Sequence, residues 1–570
     1  MKTISIFAMI LFFFTSLISA QNPLLIPDTI SGSNFDLTLQ NGTYQFLDGQ
    51  ITNTMGVNGN ILGPTLIMNK DDDVDITVTN QLDDTTTIHW HGMHISPEND
   101  GGPHTVILPG ETWNPSFTVM DDAGTYWYHP HLHEKTNEHV SKGIAGFIIV
   151  RDNEEAQLEL PRTYGVDDFP LAIQTKDFDG NNQVVVPSNS DDVVMVNATI
   201  DANLDVPAQL VRLRLLNGTS QRVLNIGLSE NQTFYQIGSD GGLLQSSIAL
   251  TRLYLAPGER AEILIDFSDM LGESIHLMSY ASEFQNGIYG ATNPGMMPMM
   301  TLNGYNPNPI NGTDYNLMQF TVTAPSVNPI FTIPSNLVTV VPIPESSAVI
   351  TRNLTFTPAS MGPNQLNGHF LINGVGFDMN VINYEIPLNN IEIWSIVNQS
   401  AIAHPFHIHD VQFYVLDRNG NTPPLSEQGR KDVILIKPQE TLRFITQFTD
   451  FANAEVPYMY HCHMLVHEDD GMMGQFIVVD NSIGINKKLP KDEEYIIYPN
   501  PATDGKVFIK TNTRIDSYEI FNIAGKRMSY FQTESKNNEI EVDVKSYPAG
   551  IYVLKMHSET ELYTGKLIIE

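Results

Sequence analysis

The chain has 570 residues, enough for several domains that each bury a core of their own. Its 65 acidic residues against 30 Lys and Arg give a formal charge of -35, which excludes a nucleic-acid partner, because a polyanionic backbone requires a basic surface. With one cysteine the chain cannot build an internal disulfide framework.

Residues 1–20 read as a signal peptide: Lys2 precedes an apolar run from Ile4 to Ile18, and Ser19-Ala20 supplies a small-residue cleavage site before Gln21. The run is too short and too early for a membrane span, and no comparable stretch follows. An exported protein, secreted or held at the cell surface, is expected. Beyond Gln21 the chain is built of short alternating runs rich in Val, Ile and Phe, such as Val74-Asp75-Ile76-Thr77-Val78 and Ile263-Leu264-Ile265-Asp266-Phe267, separated by Gly, Pro and Asn. They predict an all-β fold of Greek-key sandwiches or barrels, with only short helices in the connections.

One local plan occurs twice. Tyr128-His129-Pro130-His131 is followed by Gly143-Ile144-Ala145-Gly146-Phe147-Ile148-Ile149-Val150, and His461-Cys462-His463 by Gly471-Met472-Met473-Gly474-Gln475-Phe476-Ile477-Val478. Pro109-Gly110-Glu111-Thr112, Pro257-Gly258-Glu259-Arg260 and Pro438-Gln439-Glu440-Thr441 each introduce a further alternating run, which makes three copies of one β-rich domain. The expected domains are 21–155, 156–327 and 328–485. The second has no histidine pair, only His276, and reads as a spacer without a metal site. A charged linker, Lys487 to Glu494, leads to a last small β domain over 493–570 that includes Tyr498-Pro499-Asn500-Pro501-Ala502 and Pro548-Ala549-Gly550-Ile551-Tyr552-Val553-Leu554. This tail resembles the C-terminal sorting domain of proteins exported by the type IX secretion system of some Gram-negative bacteria. The resemblance implies an address read by that machinery at the outer membrane, with no part in the chemistry.

Ten of the seventeen histidines fall in four clusters: His89-Trp90-His91, His129-Pro130-His131, His404-Pro405-Phe406-His407-Ile408-His409, and His461-Cys462-His463 with His467. Histidines at i and i+2 on a strand share a face, so each strand can offer two imidazoles to one metal or to neighbouring metals. Cys462 with His404, His467 and Met472 narrows the choice of metal. Two imidazoles and a thiolate with a weak axial thioether describe a blue-copper electron-transfer centre. The first copy has Pro130 in place of Cys462 and Ile144 in place of Met472, so it keeps the paired histidines without the blue centre.

The four clusters together make residues 21–480 resemble the three-domain multicopper oxidases, the family of laccases, copper-efflux oxidases and bilirubin oxidases. The resemblance implies three cupredoxin-like domains and four copper ions. The type 1 copper would take His404, Cys462, His467 and Met472, and the type 2 copper His89 and His407. One type 3 copper would take His91, His129 and His463, the other His131, His409 and His461. It also implies one-electron oxidation of a reductant at the type 1 site and reduction of dioxygen to water at the other three ions.

Reduction of oxygen consumes protons, and the resemblance assigns that supply to Asp100 and Glu468. Each has a plainer reading, Asp100 as a turn residue before Gly-Gly and Glu468 as part of a solvated Glu-Asp-Asp loop. His94, His104, His133, His139, His276, His369 and His557 read as surface or hydrogen-bonded histidines. Met296-Met297-Pro298-Met299-Met300 could bind cuprous ion, but packing is the commoner use of methionine. The copper-efflux subgroup carries a methionine-rich insertion over its type 1 site, whereas Leu354 to Asp378 is short here and holds only Met361. Its absence favours a laccase-like oxidase of phenols or aromatic amines. The alternatives are a metallo-oxidase of cuprous or other low-valent ions and a non-catalytic copper-binding surface protein.

Overall fold

Alternation becomes strand at once in Asp73–Asn80, where Val74, Ile76, Val78 and Asn80 are buried while Asp73 and Asp75 face solvent. The computed structural model describes residues 21–188, 190–297, 308–360, 368–480, 495–503, 505–511, 514–522, 526–533, 539–558 and 562–570. Residues 1–20, with the expected signal peptide, and the whole 481–494 linker lie outside them. The chain divides into two units, Met1–Val479 and Asp480–Glu570. Both are all-β. Helix in the first unit is limited to Pro97–Asp100, Thr136–Lys142, Leu465–Asp469 and short 3-10 turns.

The first unit holds three pairs of sheets, and the duplicated sequence plan reappears as a duplicated sheet order. In the first copy Gly146–Arg151 lies beside Gly124–His129, which lies beside His89–His91. In the last copy Met473–Val479 lies beside Asn453–Cys462, which lies beside His404–Ile408. Registers agree too: His129 faces His89 and Tyr128 faces Gly146, as His461 faces His407 and Tyr460 faces Gly474. The glycines explain themselves, because a Cβ at Gly146 or Gly474 would lie 2.2 or 2.3 Å from the facing tyrosine.

The middle copy packs a six-stranded sheet on a seven-stranded one around Leu171, Leu213, Leu224, Ile263 and Phe320. Its limits are less sharp than the sequence implies. Asn22–Pro23 adds a parallel strand to Ala202–Pro207, and Leu337 packs on Leu160, Ile237 and Leu264 of the middle copy. The second unit stacks a three-stranded and a four-stranded sheet around Val507, Ile520, Leu554 and Leu567.

A buried ion network fixes the middle copy to the first. Arg214 Nη1 donates to Glu262 and to Thr125 Oγ1 at 2.7 and 2.9 Å, and Arg214 Nε donates to Asp168 at 2.7 Å. Arg212 binds Glu155 and Glu262, and Arg151 binds Glu155 and Asp168. Burial opposes ionisation of Asp168, but Arg214, Arg212 and Arg151 outweigh it and hold its carboxyl well below the usual range. A carboxyl with a depressed folded pKa adds stability above its unfolded pKa and loses it as pH falls. Arg214→Ala leaves charge buried without its partner, which costs about 3–5 kcal/mol. The loss is expected in full in denaturant unfolding at pH 7 and should shrink below about pH 4, where Asp168 can take a proton.

Candidate metal centre

The facing sheets of the first and last copies carry the clustered histidines to one buried place. His89, His91, His129, His131, His407, His409, His461 and His463 are each no more than 1% exposed. Six of them form two triads. His91 Nδ1 lies 3.4 Å from His129 Nε2 and 3.3 Å from His463 Nε2. His131 Nε2 lies 3.1 Å from His409 Nε2 and 3.2 Å from His461 Nε2. Imidazole nitrogens about 2.0 Å from one metal ion sit about 3.3–3.5 Å from each other, so both triads have the spacing of ligand sets.

The remaining pair is oriented from behind. His89 Nδ1 donates to the main-chain oxygen of Asp100 at 2.9 Å, and His407 Nδ1 to that of Asp432 at 2.8 Å. The Nε2 atoms of both rings are buried and have no hydrogen-bond partner. A lone pair left over on each of two buried imidazoles fits a metal between them.

Burial also decides protonation. It pushes His131 and His463 down to about 3, and drives His91, His129, His407 and His409 well below the ordinary histidine value, with the neighbouring histidines adding to the shift in each case. The neutral imidazoles that result are the form a metal takes.

The carboxylates complete the surroundings. Asp100 Oδ2 lies 2.8 Å from His409 Nδ1 and Oδ1 3.3 Å from His89 Nδ1. Glu468 meets His461 Nδ1 at 3.2 Å and His131 Nδ1 at 3.4 Å. Burial raises the Glu468 carboxyl, but His461 and His131 outweigh it and hold it well below the ordinary range. Asp100 ends the helix Pro97–Asp100, and Gly101 follows at φ +81°, where any Cβ would strike Ile88 O. Glu468 lies in the helix Leu465–Asp469, while Asp469 accepts the main-chain N–H groups of Thr136 and Asn137 across the interface between copies. The solvated acidic loop considered from the sequence is therefore a helix end packed against the first copy.

The thiolate site lies in the last copy alone. Cys462 Sγ is 3.6 Å from His404 Nδ1 and 3.5 Å from His467 Nδ1. Met472 is fully buried in the same core cluster. Its N–H donates to His467 O at 2.8 Å, and its carbonyl accepts from Cys462 N–H at 3.0 Å. Ser400 Oγ holds the far nitrogen of His404 at 2.9 Å, and Phe370 packs on both rings. Burial pushes the Cys462 thiol far above its usual value. A buried thiol whose ionisation burial opposes becomes a thiolate only with a cation in the site, which is the behaviour of a soft-metal ligand set.

The histidines outside the clusters find other partners. His94 pairs with Asp410 and Asp450 across the interface, His104 with Gln475, His139 with Thr86 and His557 with Glu519. His133 rests on Phe377, and His369 meets Asp470 O. Met296 and Met297 are exposed, so this pair does not fill a core as the packing reading held; Pro298, Met299 and Met300 lie outside the described residues. Two residues that reasoning from sequence passed over also border the cluster. Asp432 Oδ1 lies 3.1 Å from His91 Nε2, and Gly258 of the middle copy lies against the His463 ring.

A thiolate and imidazole site joined through one peptide segment to a buried cluster of eight imidazoles defines a copper-dependent oxidoreductase. Residues 38–155 and 349–482 match the multicopper oxidase family, and residues 496–570 match the secretion system C-terminal sorting domain, which marks the protein as exported. The multicopper oxidase mco of Staphylococcus epidermidis is 35% identical over 459 residues, 78% of this chain and 89% of that protein. The cell division protein FtsP of Xenorhabdus nematophila is 31% identical over 463 residues, 80% and 91% of the two chains. Among solved structures, the laccase-like multicopper oxidase CueO of Ochrobactrum sp. superposes with a TM-score of 0.70 at 32% identity, covering 80% of this chain and all of that one. The chain belongs to the multicopper oxidases.

Because Glu468 orients two imidazoles at once, Glu468→Ala should weaken copper retention by the histidine cluster about 10–100-fold. Titration of the copper-loaded protein with a chelator checks this. The absorption from the Cys462 site should persist while cluster copper is lost.

Proposed function

We propose that this is a laccase-like oxidase that holds four copper ions and couples oxidation of small organic reductants, phenols or aromatic amines, to reduction of dioxygen to water. The type 1 ion falls to His404, Cys462, His467 and Met472, and the type 2 ion to His89 and His407. The type 3 pair falls to the two triads, His91 with His129 and His463, and His131 with His409 and His461. When bound, copper supplies one-electron oxidation at the thiolate and four-electron reduction of oxygen at the histidine cluster.

The observation that carries this reading is the position of Cys462. Its neighbour His461 belongs to one triad and its neighbour His463 to the other, so a single stretch of main chain joins the thiolate to both. A protein that only stored copper has no use for that connection. We assign proton supply at the cluster to Asp100 and Glu468, buried carboxylates that each already touch two of its histidines. We also read 1–20 as a signal peptide, 21–155, 156–327 and 328–485 as the three cupredoxin-like domains, and 493–570 as the address for type IX export.

Reductant choice rests on a cavity of about 550 Å³ lined by His133, His369, Phe377, Val466, Asp469 and Asp470, the last three from the segment that carries His467. That volume suits one or two aromatic rings. The rings of His133 and Phe377, edge to face at 5.2 Å, offer aromatic contact, and the carboxylates favour an amino or hydroxyl substituent. The same carboxylates, with the exposed Met296 and Met297, favour the second reading, oxidation of cuprous or other low-valent metal ions. A non-catalytic copper-binding role at the cell surface is the third reading.

Cys462→Ser should abolish the blue absorption and all turnover, whichever reductant is supplied. Oxygen uptake by the copper-loaded protein, measured in parallel with a methoxyphenol and with cuprous ion at matched concentration, separates the readings. Faster uptake with the phenol is expected. Faster uptake with cuprous ion would make the protein a metallo-oxidase, and uptake with neither would leave the non-catalytic role.

A further inference from the structure

The turn Pro257-Gly258-Glu259-Arg260 is one of three similar turns, yet it alone places arginine after the glutamate, where Thr112 and Thr441 stand in the other copies. Arg260 is fully buried at the meeting of all three copies, and each of its guanidinium N–H donors is used. Nε donates to Thr125 O at 3.2 Å, in the first-copy strand that ends at His129. Nη1 donates to Gly258 O at 3.0 Å and Asp432 Oδ1 at 2.6 Å, and Nη2 to Asp240 O at 3.1 Å and to Asp432 Oδ2.

Asp432 passes that grip on to two candidate ligands. Its side chain accepts from His91 Nε2 at 3.1 Å, which leaves His91 Nδ1 aimed into its triad. Its main-chain oxygen accepts from His407 Nδ1 at 2.8 Å, which leaves the unpartnered Nε2 aimed inward. The two rings stack at 3.8 Å between centroids. A second contact comes from the same turn: Gly258 has φ +85°, and a Cβ there would lie 2.8–2.9 Å from three atoms of the His463 ring.

We infer that Arg260 is a positioning residue of the histidine cluster, acting through Asp432, so that the middle copy completes the metal centre and is more than a spacer. The inference rests on the ligand assignment proposed above. Lysine cannot replace the fork, because a point charge cannot hold both Asp432 oxygens and Thr125 O together. Freed from it, Asp432 loses its set position, and His91 and His407 lose theirs.

The test uses the full-length, copper-loaded protein with Arg260→Lys, titrated with a chelator. Copper per chain, the type 2 paramagnetic resonance signal and the blue absorption are followed together. Cluster copper should be lost at about 10–100-fold lower chelator than in the parent, with the blue absorption unchanged, since Asp432 holds His91 and His407 whereas Cys462 lies against His404 and His467. Arg222→Lys, at a buried arginine of the middle copy that pairs with Asp191, is the control for general weakening and should show no selective loss. Parental copper retention in Arg260→Lys, or parallel loss from both sites in the two variants, overturns the inference. His407→Ala keeps the two claims apart, because retention of the type 2 signal in that variant would sink the ligand assignment itself. Should Arg260→Lys not fold, Gly258→Ala decides: selective cluster loss supports the inference, and parental retention overturns it.

Discussion

Eight imidazoles are withdrawn from water at one interface, and the groups around them fix which way the rings point. Burial, with the neighbouring rings adding to it, keeps His91, His129, His131, His407, His409 and His463 neutral, since protonated rings packed 3.8–6.1 Å apart would repel each other without water to screen them. It does not settle their direction. A neutral imidazole has one donor and one acceptor nitrogen, and which faces the centre depends on what holds the other. Main-chain oxygens of Asp100 and Asp432 and the carboxylates of Asp100, Glu468 and Asp432 do that holding for six of the rings, and the main-chain oxygen of Pro130 does it for His129.

The β architecture makes this economical. A strand presents alternate residues on one face, so His-x-His delivers two rings from three residues, and antiparallel pairing sets His89 against His129 and His407 against His461. The duplicated fold supplies two such faces, and their apposition builds a site that neither copy could build alone. The last copy then adds the thiolate at the position between its two histidines. Divergence at Pro130 and Cys462, equivalent places in one plan, separates a half-site from a half-site with an electron port.

Much of this was legible in the sequence because ligand chemistry and strand periodicity leave marks at short range. The His-x-His pairs, the Cys462 to Met472 spacing and the Gly146 and Gly474 repeat are all local. What stayed hidden was long-range or ambiguous in type. Asp432 is one of 65 acidic residues, and nothing near it in sequence says that His91 lies against it. Glu468 and Asp100 carried plainer readings because a turn and an acidic run look alike whether solvated or buried. Arg260 did have a signal, its contrast with Thr112 and Thr441, but the contrast acquires meaning only once the three copies are seen to meet there. The exposure of Met296 and Met297 was equally invisible, since methionine serves a core and a surface alike.

The proposed function requires four copper ions in two places of different chemistry. Anomalous diffraction from crystals of the copper-loaded protein, recorded on both sides of the copper absorption edge, tests it most directly. The account predicts one peak beside Cys462 between His404 and His467, and three within the cluster of eight histidines. A cluster without copper, or copper at Cys462 alone, would contradict it.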